Sequence, residues 1–326
     1  MKLDRFQKLA LWTTGATYLL IGVGGLVRAA GAGLGCPDWP KCFDRWIPPV
    51  SAEGVPAHID PALFNFAKAW MEYVNRLLGV AIGFLIFATL VAAIVRYWRT
   101  PRVLWPSVGA FVLVAFQGWL GGQVVESGLK PIVLTAHLVL ALVIVSLLLY
   151  ATVSAFFPSG RAPAPLSTER RWLGRAVVAT LVLLLVQIGL GADLRGEIQL
   201  AAEAGVARGA WLDAVGLIDP IHRSVAVLVT GAIVALAALA SRVAPGDPWL
   251  ARVSKIALAL VAIQVLAGIG LAELGFPRVL VVVHLWAAAL LLGDLTLMAL
   301  LVVRLDPRMR TDRAAPPAPG VAVSAP

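Results

Sequence analysis

The chain has 326 residues, of which 60% are hydrophobic and 14% are charged, and its mean hydropathy is +0.87. A soluble domain is about 45–50% apolar and about 25% charged, so this composition excludes an ordinary soluble fold. In so apolar a chain, the formal net charge of +9 indicates cationic loops that orient membrane segments, and no nucleic-acid partner is expected.

Eight apolar runs occur along the chain, each near the length of about 20 residues that crosses about 30 Å of hydrocarbon. They do not alternate in polarity as the strands of a membrane barrel do, so the predicted fold class is an all-α polytopic membrane protein. No small-residue cleavage site follows the first run, so a removable signal is not expected. The predicted spans are 8–28, 71–95, 103–125, 131–154, 173–193, 219–242, 250–273 and 278–303.

Lysine and arginine residues cluster before the first span and after spans two, four, six and eight. Those segments lie on one side of the membrane, and the positive-inside rule makes that side cytoplasmic, with both termini inside. Tryptophans such as Trp98 and Trp249 stand at predicted span ends, as interfacial anchors do. We therefore expect a multi-pass protein of the cell (inner) membrane.

The chain contains an internal repeat. The segment MEYVNRLLGV at 71–80 matches IDPIHRSVAV at 218–227, which is 147 residues further on. The same spacing relates several polar residues and glycines, and a spacing of 167 relates two arginines near the first span of each half. The paired residues are Glu72 and Asp219, Asn75 and His222, Arg76 and Arg223, Gln117 and Gln264, Gly121 and Gly268, His137 and His284, and Arg28 and Arg195.

The repeat predicts two four-helix halves. Because four spans return the chain to the same side, the halves are related by an axis along the membrane normal. The predicted boundaries are an N-terminal half at 1–157 with an external cysteine loop at 29–69, a cytoplasmic linker at 158–175, a C-terminal half at 176–303 and a disordered cytoplasmic tail at 304–326.

Three of the four histidines lie at one depth. His137, His222 and His284 each stand four to seven residues into a span that starts outside, which places them roughly 5–10 Å below the outer surface. Ionisable residues inside the membrane are costly and usually functional. A histidine pair on two helices suits axial ligation of heme iron, whereas zinc normally requires three or four ligands. The fourth histidine, His58, is in the external loop.

Arginines accompany these histidines. Arg195 and Arg223 are predicted near the outer ends of neighbouring spans, where a planar guanidinium is well matched to a heme propionate. Their repeat counterparts, Arg28 and Arg76, are predicted to do the same in the first half. Each arginine alone is typical of interfacial snorkelling, but the register of the repeat favours heme binding.

Asn75 breaks the symmetry, because an amide is a very poor iron ligand and stands where the second half has His222. Two explanations remain: the first-half heme is five-coordinate with one open iron face, or His58 folds back from the loop. Glu72 lies one turn from Asn75 and would be a proton acceptor or cation stabiliser beside that heme. It is equally well placed to pair with Arg76, four residues on.

Cys36 and Cys42 are the only cysteines, and they lie in the loop predicted to be external. An oxidising compartment permits a disulfide between them. Such a bridge would be either a structural staple or an exchangeable disulfide that passes electrons near the first-half site. The spacing does not choose between these roles.

Several stretches together resemble the heme A synthase family: GLVRAAGAGLGCPDWPKCF, EYVNRLLG, FQGWLGGQVV with AHLVLALVIV, IHRSVAVL and VVHLWAAALLLGDL. The resemblance covers all eight spans, about residues 8–303, and excludes the tail. It implies oxidation of a ring methyl of heme O to the formyl group of heme A, by successive hydroxylations with water as oxygen source. It also implies a substrate site in the N-terminal half and a bound heme b in the C-terminal half.

By that resemblance, His222 and His284 ligate heme b, His137 faces the substrate heme, and Glu72 is the functional carboxylate beside it. Cys36 and Cys42 match an external cysteine pair found in one branch of the family. Asn75 departs from the pattern, because many members have histidine there. The implied partners are heme O, heme A, heme O synthase, oxidase assembly factors and membrane lipid, and an oligomer is compatible with the sequence.

Two other classes of function compete with this interpretation. A b-type cytochrome that only transfers electrons would need the C-terminal histidine pair, but two such heme sites would both be expected to be six-coordinate. A transporter would show inverted repeats and broken helices at the midplane, whereas the polar residues here cluster near the outer face.

Overall fold

The computed structural model describes residues 3–156 and 167–304. Over those ranges the chain forms eight long helices, one short helix and three 3-10 turns, without a β-strand. The eight long helices are all long and apolar enough to cross a membrane, which confirms the predicted all-α polytopic class. The helices are α1 (Arg5–Ala29), α2 (Phe66–Tyr97), α3 (Pro101–Glu126), α4 (Pro131–Phe156), α5 (Thr168–Glu203), α6 (Trp211–Ala214), α7 (Ile218–Val243), α8 (Pro248–Glu273) and α9 (Arg278–Arg304).

The first turns of α1 and α8 follow ordinary capping chemistry. Asp4 accepts a hydrogen bond from the Gln7 amide at 2.7 Å, and the Gln7 side chain accepts one from the Asp4 amide, which is a capping box. Asp247 caps α8, whose first residue is Pro248, a position where a missing N–H costs nothing.

The largest difference from the predicted spans is α5, which has 36 residues and extends past both ends of the predicted 173–193 span. Ser167 caps it, so α5 takes up residues 168–175 of the predicted 158–175 linker. At the other end, Leu194 and Ile198 are buried against Val215. The apolar run ends near Asp193, but α5 continues because the following residues form an amphipathic segment with one buried face. Residues 158–166 of the predicted linker and 305–326 of the predicted tail lie outside the described residues.

The turn between α3 and α4 has the same conformation as the turn between α8 and α9. Gly128 and Leu129 connect α3 to α4 with φ of 67° and 63°, and their counterparts Gly275 and Phe276 connect α8 to α9 with φ of 65° and 59°. The Leu129 amide donates to Val124 and the Phe276 amide donates to Leu271, again 147 residues apart. A positive φ is unusual for leucine or phenylalanine, so its occurrence at equivalent positions shows that both turns share one conformation.

Each half is a closed bundle in which α1, α2, α3 and α4 pack in a ring, as do α5, α7, α8 and α9. The halves meet where α1 packs on α9, α4 on α5 and α4 on α9. Exchanging each helix for its repeat counterpart reproduces this set of contacts. The observed packing therefore has the pseudo-twofold symmetry that the parallel repeat predicts.

Small residues allow close approach across this seam. Gly22 on α1 faces the Trp286 ring on α9, and the Trp286 indole donates to the Tyr18 carbonyl at 2.8 Å. A Cβ at Gly196 on α5 would lie 2.8 Å from the Pro131 ring on α4. Membrane helices without a hydrophobic driving force between them commonly associate through such small residues.

Candidate functional site

The second half brings His222 on α7 and His284 on α9 together. Their ring centroids are 6.5 Å apart, with an angle of 63° between the ring planes. A metal–imidazole bond is about 2 Å and a ring centroid lies roughly 1 Å beyond the bonding nitrogen, so two imidazoles on opposite faces of one iron have centroids about 6 Å apart. The described residues contain no group of three His, Cys, Asp or Glu that could hold a metal ion by themselves. The pair therefore fits a heme iron, with the porphyrin as the remaining ligand.

Glutamines and glycines hold these two imidazoles. Gln264 donates to the His284 carbonyl at 2.8 Å, and Gln187 donates to the His222 carbonyl at 3.0 Å. The Gln187 amide nitrogen also lies 3.1 Å from His222 Nδ1. A Cβ at Gly191 would lie 2.9 Å from His222 Cε1, so glycine is needed for the ring to approach α5. Partners of this kind fix the orientation of a ligating imidazole.

The first half holds His137 in the same way as His284. Gln117 donates to the His137 carbonyl at 3.0 Å, and Gly121 faces the His137 ring as Gly268 faces that of His284. In the described part of the chain, Nδ1 of both histidines is buried without a hydrogen-bond partner. Buried unsatisfied polar atoms are rare in folded proteins and are expected where a ligand belongs.

The other side of the first-half site is different. Asn75 stands at the position of His222, and its buried Oδ1 has no hydrogen-bond partner among residues 3–156 and 167–304. Leu20 stands at the position of Gln187, so the glutamine that contacts His222 has no counterpart. Gly24 corresponds to Gly191, but no described atom lies within 4 Å of where its Cβ would be. The first half therefore offers one imidazole and an open space where the second half offers two imidazoles.

Glu72 connects this site to the external loop. The residue is only 4% exposed, and its Oε2 accepts a hydrogen bond from the Cys36 amide at 2.9 Å. Its Oε1 accepts two hydrogen bonds from Arg76, one of them 3.1 Å long. Arg76 also donates to the carbonyls of Asp38 and Lys41 at 2.9 and 2.7 Å. The pairing of Glu72 with Arg76 expected from their spacing is thus present, and it anchors the loop.

Cys36 and Cys42 form a disulfide, and both residues are buried. They pack with Phe43, Val55 and Ala69 in a small core of their own. This disulfide-closed loop (residues 29–65) lies over the outer end of the first half.

Further packing fixes the loop against the bundle. Trp39 packs against Gly122 on α3, where a Cβ would lie 2.8 Å from its ring, and Leu129 packs against Gly33. The loop therefore contacts α3 and the α3–α4 turn as well as α2.

The second half has a simpler outer connection. Residues 204–217 contain α6 and no cysteine, and Trp211 packs against Phe276. Arg223 pairs with Asp219 at 2.9 Å as Arg76 pairs with Glu72, but the Arg223 side chain is 54% exposed. The arginines at these equivalent positions are thus engaged with carboxylates on their own helix.

Arg28 and Arg195 lie close to each other although they come from opposite halves. The Arg28 side chain is largely buried, and the positive charge of Arg195 is near enough to act on it. Arg28 Nε and Nη2 have no hydrogen-bond partner in the described structure. A guanidinium with buried, unsatisfied donors and a second positive charge nearby favours an anionic partner, and a porphyrin carboxylate has a suitable charge and shape.

Comparison with known proteins identifies the family of the chain. Residues 7–296 match the COX15-CtaA family, described as cytochrome oxidase assembly protein. The chain belongs to this family. It is 29% identical over 332 residues to a heme A synthase of Allorhizobium ampelinum, covering 85% of each chain, and 30% identical over 329 residues to one of Methylobacterium sp. strain 4-46, covering 84% of this chain and 85% of the relative.

Within this COX15-CtaA protein, His58 lies away from the first-half histidine. Its side chain is 67% exposed and Nε2 is 3.9 Å from Oδ2 of Asp44. Asp44 also pairs with Lys41 at 2.7 Å, and the hydrogen bond and charge of Lys41 lower the pKa of the Asp44 carboxyl. The observed position of His58 on the outer surface of the loop favours the open-face explanation for Asn75.

Sequence reasoning missed several parts of the sites. Gln117 and Gln264 were in register, but a spacing does not show that both bond a histidine carbonyl. Gly191 lies in register with Gly24, but a repeated glycine does not show which side chain approaches it, and Gln187 carried no repeat signal because its counterpart is Leu20. A separate miss is Asp294 on α9, which is 8% exposed, has an unpartnered Oδ2 within the described residues, and has Leu147 as its repeat counterpart.

Proposed function

We propose that this protein is a heme A synthase, an oxidoreductase that converts heme O to heme A by oxidising a ring methyl to a formyl group. The observation that carries the proposal is the asymmetry of two otherwise equivalent sites: the rings of His222 and His284 lie together in one half, while in the other half Asn75 takes the repeat position of His222 and only His137 remains. A two-heme electron carrier would need both sites alike, whereas an enzyme needs one heme retained and one exchanged. The named relatives support this choice.

We propose that His222 and His284 hold a heme b as resident cofactor. Their centroid separation of 6.5 Å fits two axial imidazoles, and Gln187 and Gln264 fix the carbonyls of their own helices. When bound, this group supplies one-electron redox chemistry, which the protein's own side chains lack. The protein's contribution is to orient the ligands and to exclude water.

In the first half we propose that His137 holds heme O as substrate. One imidazole binds more weakly than two, and that suits a molecule that must enter and leave. Arg28 would offer its unsatisfied Nε and Nη2 donors to the porphyrin carboxylates, and the positive charge of Arg195 would also attract them. Arg76 and Arg223 were predicted to bind a heme as well, but their guanidinium groups are engaged by Glu72 and Asp219, so we do not retain them for that role.

Glu72 is the carboxylate that we propose to act on the substrate heme. Its two oxygens accept hydrogen bonds from Cys36 and Arg76, which keeps it in one place beneath the disulfide-closed loop. A carboxylate fixed in this way can accept a proton from a reacting group or stabilise a developing positive charge. The oxidation would proceed by successive hydroxylations of the methyl group with water as the oxygen source, and each of its two steps would pass two electrons to an external electron acceptor and release two protons.

We further propose that both termini are cytoplasmic and that both heme sites lie near the outer face of the cell membrane. Lysine and arginine residues cluster at the end of α2 and at the starts of α5 and α8. By the positive-inside rule, these helix ends would lie on the cytoplasmic side. Heme O synthase would deliver the substrate and oxidase assembly factors would receive the product.

The test is to express the chain in cells that make heme O but no heme A and to extract the hemes for chromatography. We expect heme A to appear with the wild-type chain and to be absent with His137→Ala. Accumulation of the protein with normal heme b absorption and no heme A would leave an electron-transfer cytochrome as the better description.

A further inference from the structure

Position 24 of α1 differs from its repeat counterpart in what surrounds it. At Gly191 in the second half, an added Cβ would lie 2.9 Å from His222 Cε1, so the imidazole fills the space beside that glycine. At Gly24 no described atom lies within 4 Å of the same position. Glycine weakens a helix by about 1 kcal/mol relative to alanine, and packing does not require it at position 24.

The side chain that should fill this space is too short to do so. Asn75 replaces the imidazole of His222 with a smaller amide, and Leu20 replaces the Gln187 that lies 3.1 Å from His222 Nδ1. Asn75 Oδ1 is buried, and nothing in the described ranges hydrogen-bonds to it. A buried amide without a partner costs about 1–3 kcal/mol unless a small polar molecule satisfies it.

The surrounding structure prevents α2 from closing the space. Glu72, three residues before Asn75, accepts a hydrogen bond from the Cys36 amide, and Arg76, the residue directly after Asn75, donates one to the Lys41 carbonyl. Across the site, the Gln117–His137 bond matches the Gln264–His284 bond within 0.2 Å, at 3.0 and 2.8 Å. His137 is thus held against α3 as His284 is held against α8, although the first half has Asn75 where the second half has His222.

We propose that Gly24 and Asn75 enclose a pocket for one small neutral ligand, no larger than an imidazole ring, beside the open face of the substrate heme. Water is its natural occupant, because the walls are an amide, a glycine and a leucine and carry no charge. The pocket makes Asn75 a positioning residue for that water. This inference rests on the proposed function, since it takes His137 to hold a heme.

Imidazole is the probe that tests the pocket. The protein is purified from cells that make heme O, and its absorption and electron paramagnetic resonance spectra are recorded during an imidazole titration. We expect a high-spin heme that becomes low-spin with imidazole, while the low-spin signal of the His222–His284 heme does not change. The response should be absent in His137→Ala, which removes the first-half ligand.

Two substitutions locate the binding. Gly24→Leu fills the pocket and should weaken imidazole binding at least tenfold, whereas Gly15→Leu, at another α1 glycine with open space around it, should leave binding unchanged. Asn75→His supplies the missing ring and should give a low-spin first-half heme without imidazole. The heme b bands report that each variant is folded.

The outcomes separate the pocket from the proposed function. A protein that carries only the second-half heme contradicts both. A protein that carries both hemes, but whose spectra do not respond to imidazole, contradicts the pocket alone. Equal imidazole binding by Gly24→Leu and Gly15→Leu contradicts it as well, and so does an Asn75→His protein whose first-half heme stays high-spin.

Discussion

The two halves of this protein share one helix-bundle architecture, but their candidate heme sites differ in their side chains and in the loops beside them. In the second half two imidazoles face each other and the outer connection is a plain helical loop. In the first half Asn75 stands at the repeat position of His222, and the disulfide-closed loop bonds to Glu72, three residues before Asn75. The helix order, the histidine-carbonyl bonds and the turns are alike, so under the proposed function a few side chains would decide whether a heme is retained or exchanged.

The carboxylate–arginine pairs on α2 and α7 also differ between the halves, because they differ in burial and hence in their contribution to stability. Glu72 and Arg76 are 5% and 16% exposed, whereas Asp219 and Arg223 are 16% and 54% exposed. Breaking a buried pair leaves an uncompensated charge, but breaking an exposed pair costs little. A carboxylate and an arginine four residues apart therefore anchor the disulfide-closed loop in the first half. In the second half the equivalent pair lies on the helix surface and contributes little to stability.

The largest effect should come from His284→Ala, which removes one of two axial ligands. We expect complete loss of the b-type bands in reduced-minus-oxidised spectra, because a six-coordinate heme b needs both axial imidazoles. His137→Ala is the matched control and should keep those bands. Their full retention in His284→Ala would remove the second-half pair from heme binding.

Glu72→Gln separates chemistry from anchoring. Glutamine keeps an oxygen that can accept the Cys36 amide but carries no charge, so the loop should remain in place. We expect heme A formation to fall about 100-fold, within the range of general acid–base catalysis, while heme b spectra stay normal. Undiminished heme A in extracts would show that Glu72 only anchors the loop.

Glu72→Ala compared with Asp219→Ala sharpens the contrast between the two pairs. The first should lower the free energy of unfolding by about 3 kcal/mol, because it leaves Arg76 buried without its carboxylate. The second should cost less than about 1 kcal/mol, because Arg223 is exposed. Thermal or denaturant unfolding in detergent measures both, and equal losses would contradict the comparison.

Replacing Cys36 and Cys42 by serine tests the role of the disulfide. Both residues are buried in the loop's own core, and a thiol cannot exchange with a disulfide that it cannot reach. We therefore expect stability to fall by about 2 kcal/mol and heme b to be unaffected. If heme A formation were lost while the melting temperature stayed constant, the disulfide would be a redox participant.

Gln187→Leu gives the second half the residue that the first half has at Leu20. Loss of the bond to the His222 carbonyl should weaken heme b binding about tenfold, measured by titrating heme into the apoprotein. Leu20→Gln is the control and should leave heme b binding as it is. An unchanged affinity in Gln187→Leu would mean that Gln187 does not orient His222.

The smallest effect is expected for His58→Ala. The side chain is 67% exposed and faces Asp44 across 3.9 Å. Heme A yield and substrate spectra should stay within error of the wild type. A collapse of substrate binding would instead support the folded-back loop histidine.

Much of the architecture could be predicted from the sequence because hydrocarbon imposes long apolar helices, and because the repeat supplies an internal alignment. The His222–His284 pair follows from depth and register in the same way. The extension of α5 could not, since its last turns are held by packing of Ile198 against Val215 after hydropathy has fallen. The loop network around Arg76 also escaped prediction, because backbone carbonyls such as Lys41 O carry no sequence signature.

The most direct test of the division between the halves is the heme content of two purified variants from cells that make heme O. Extracted pigments of His284→Ala should lack heme b but retain heme O or heme A, and those of His137→Ala should show the opposite pattern. Loss of the same pigment from both variants would contradict the account.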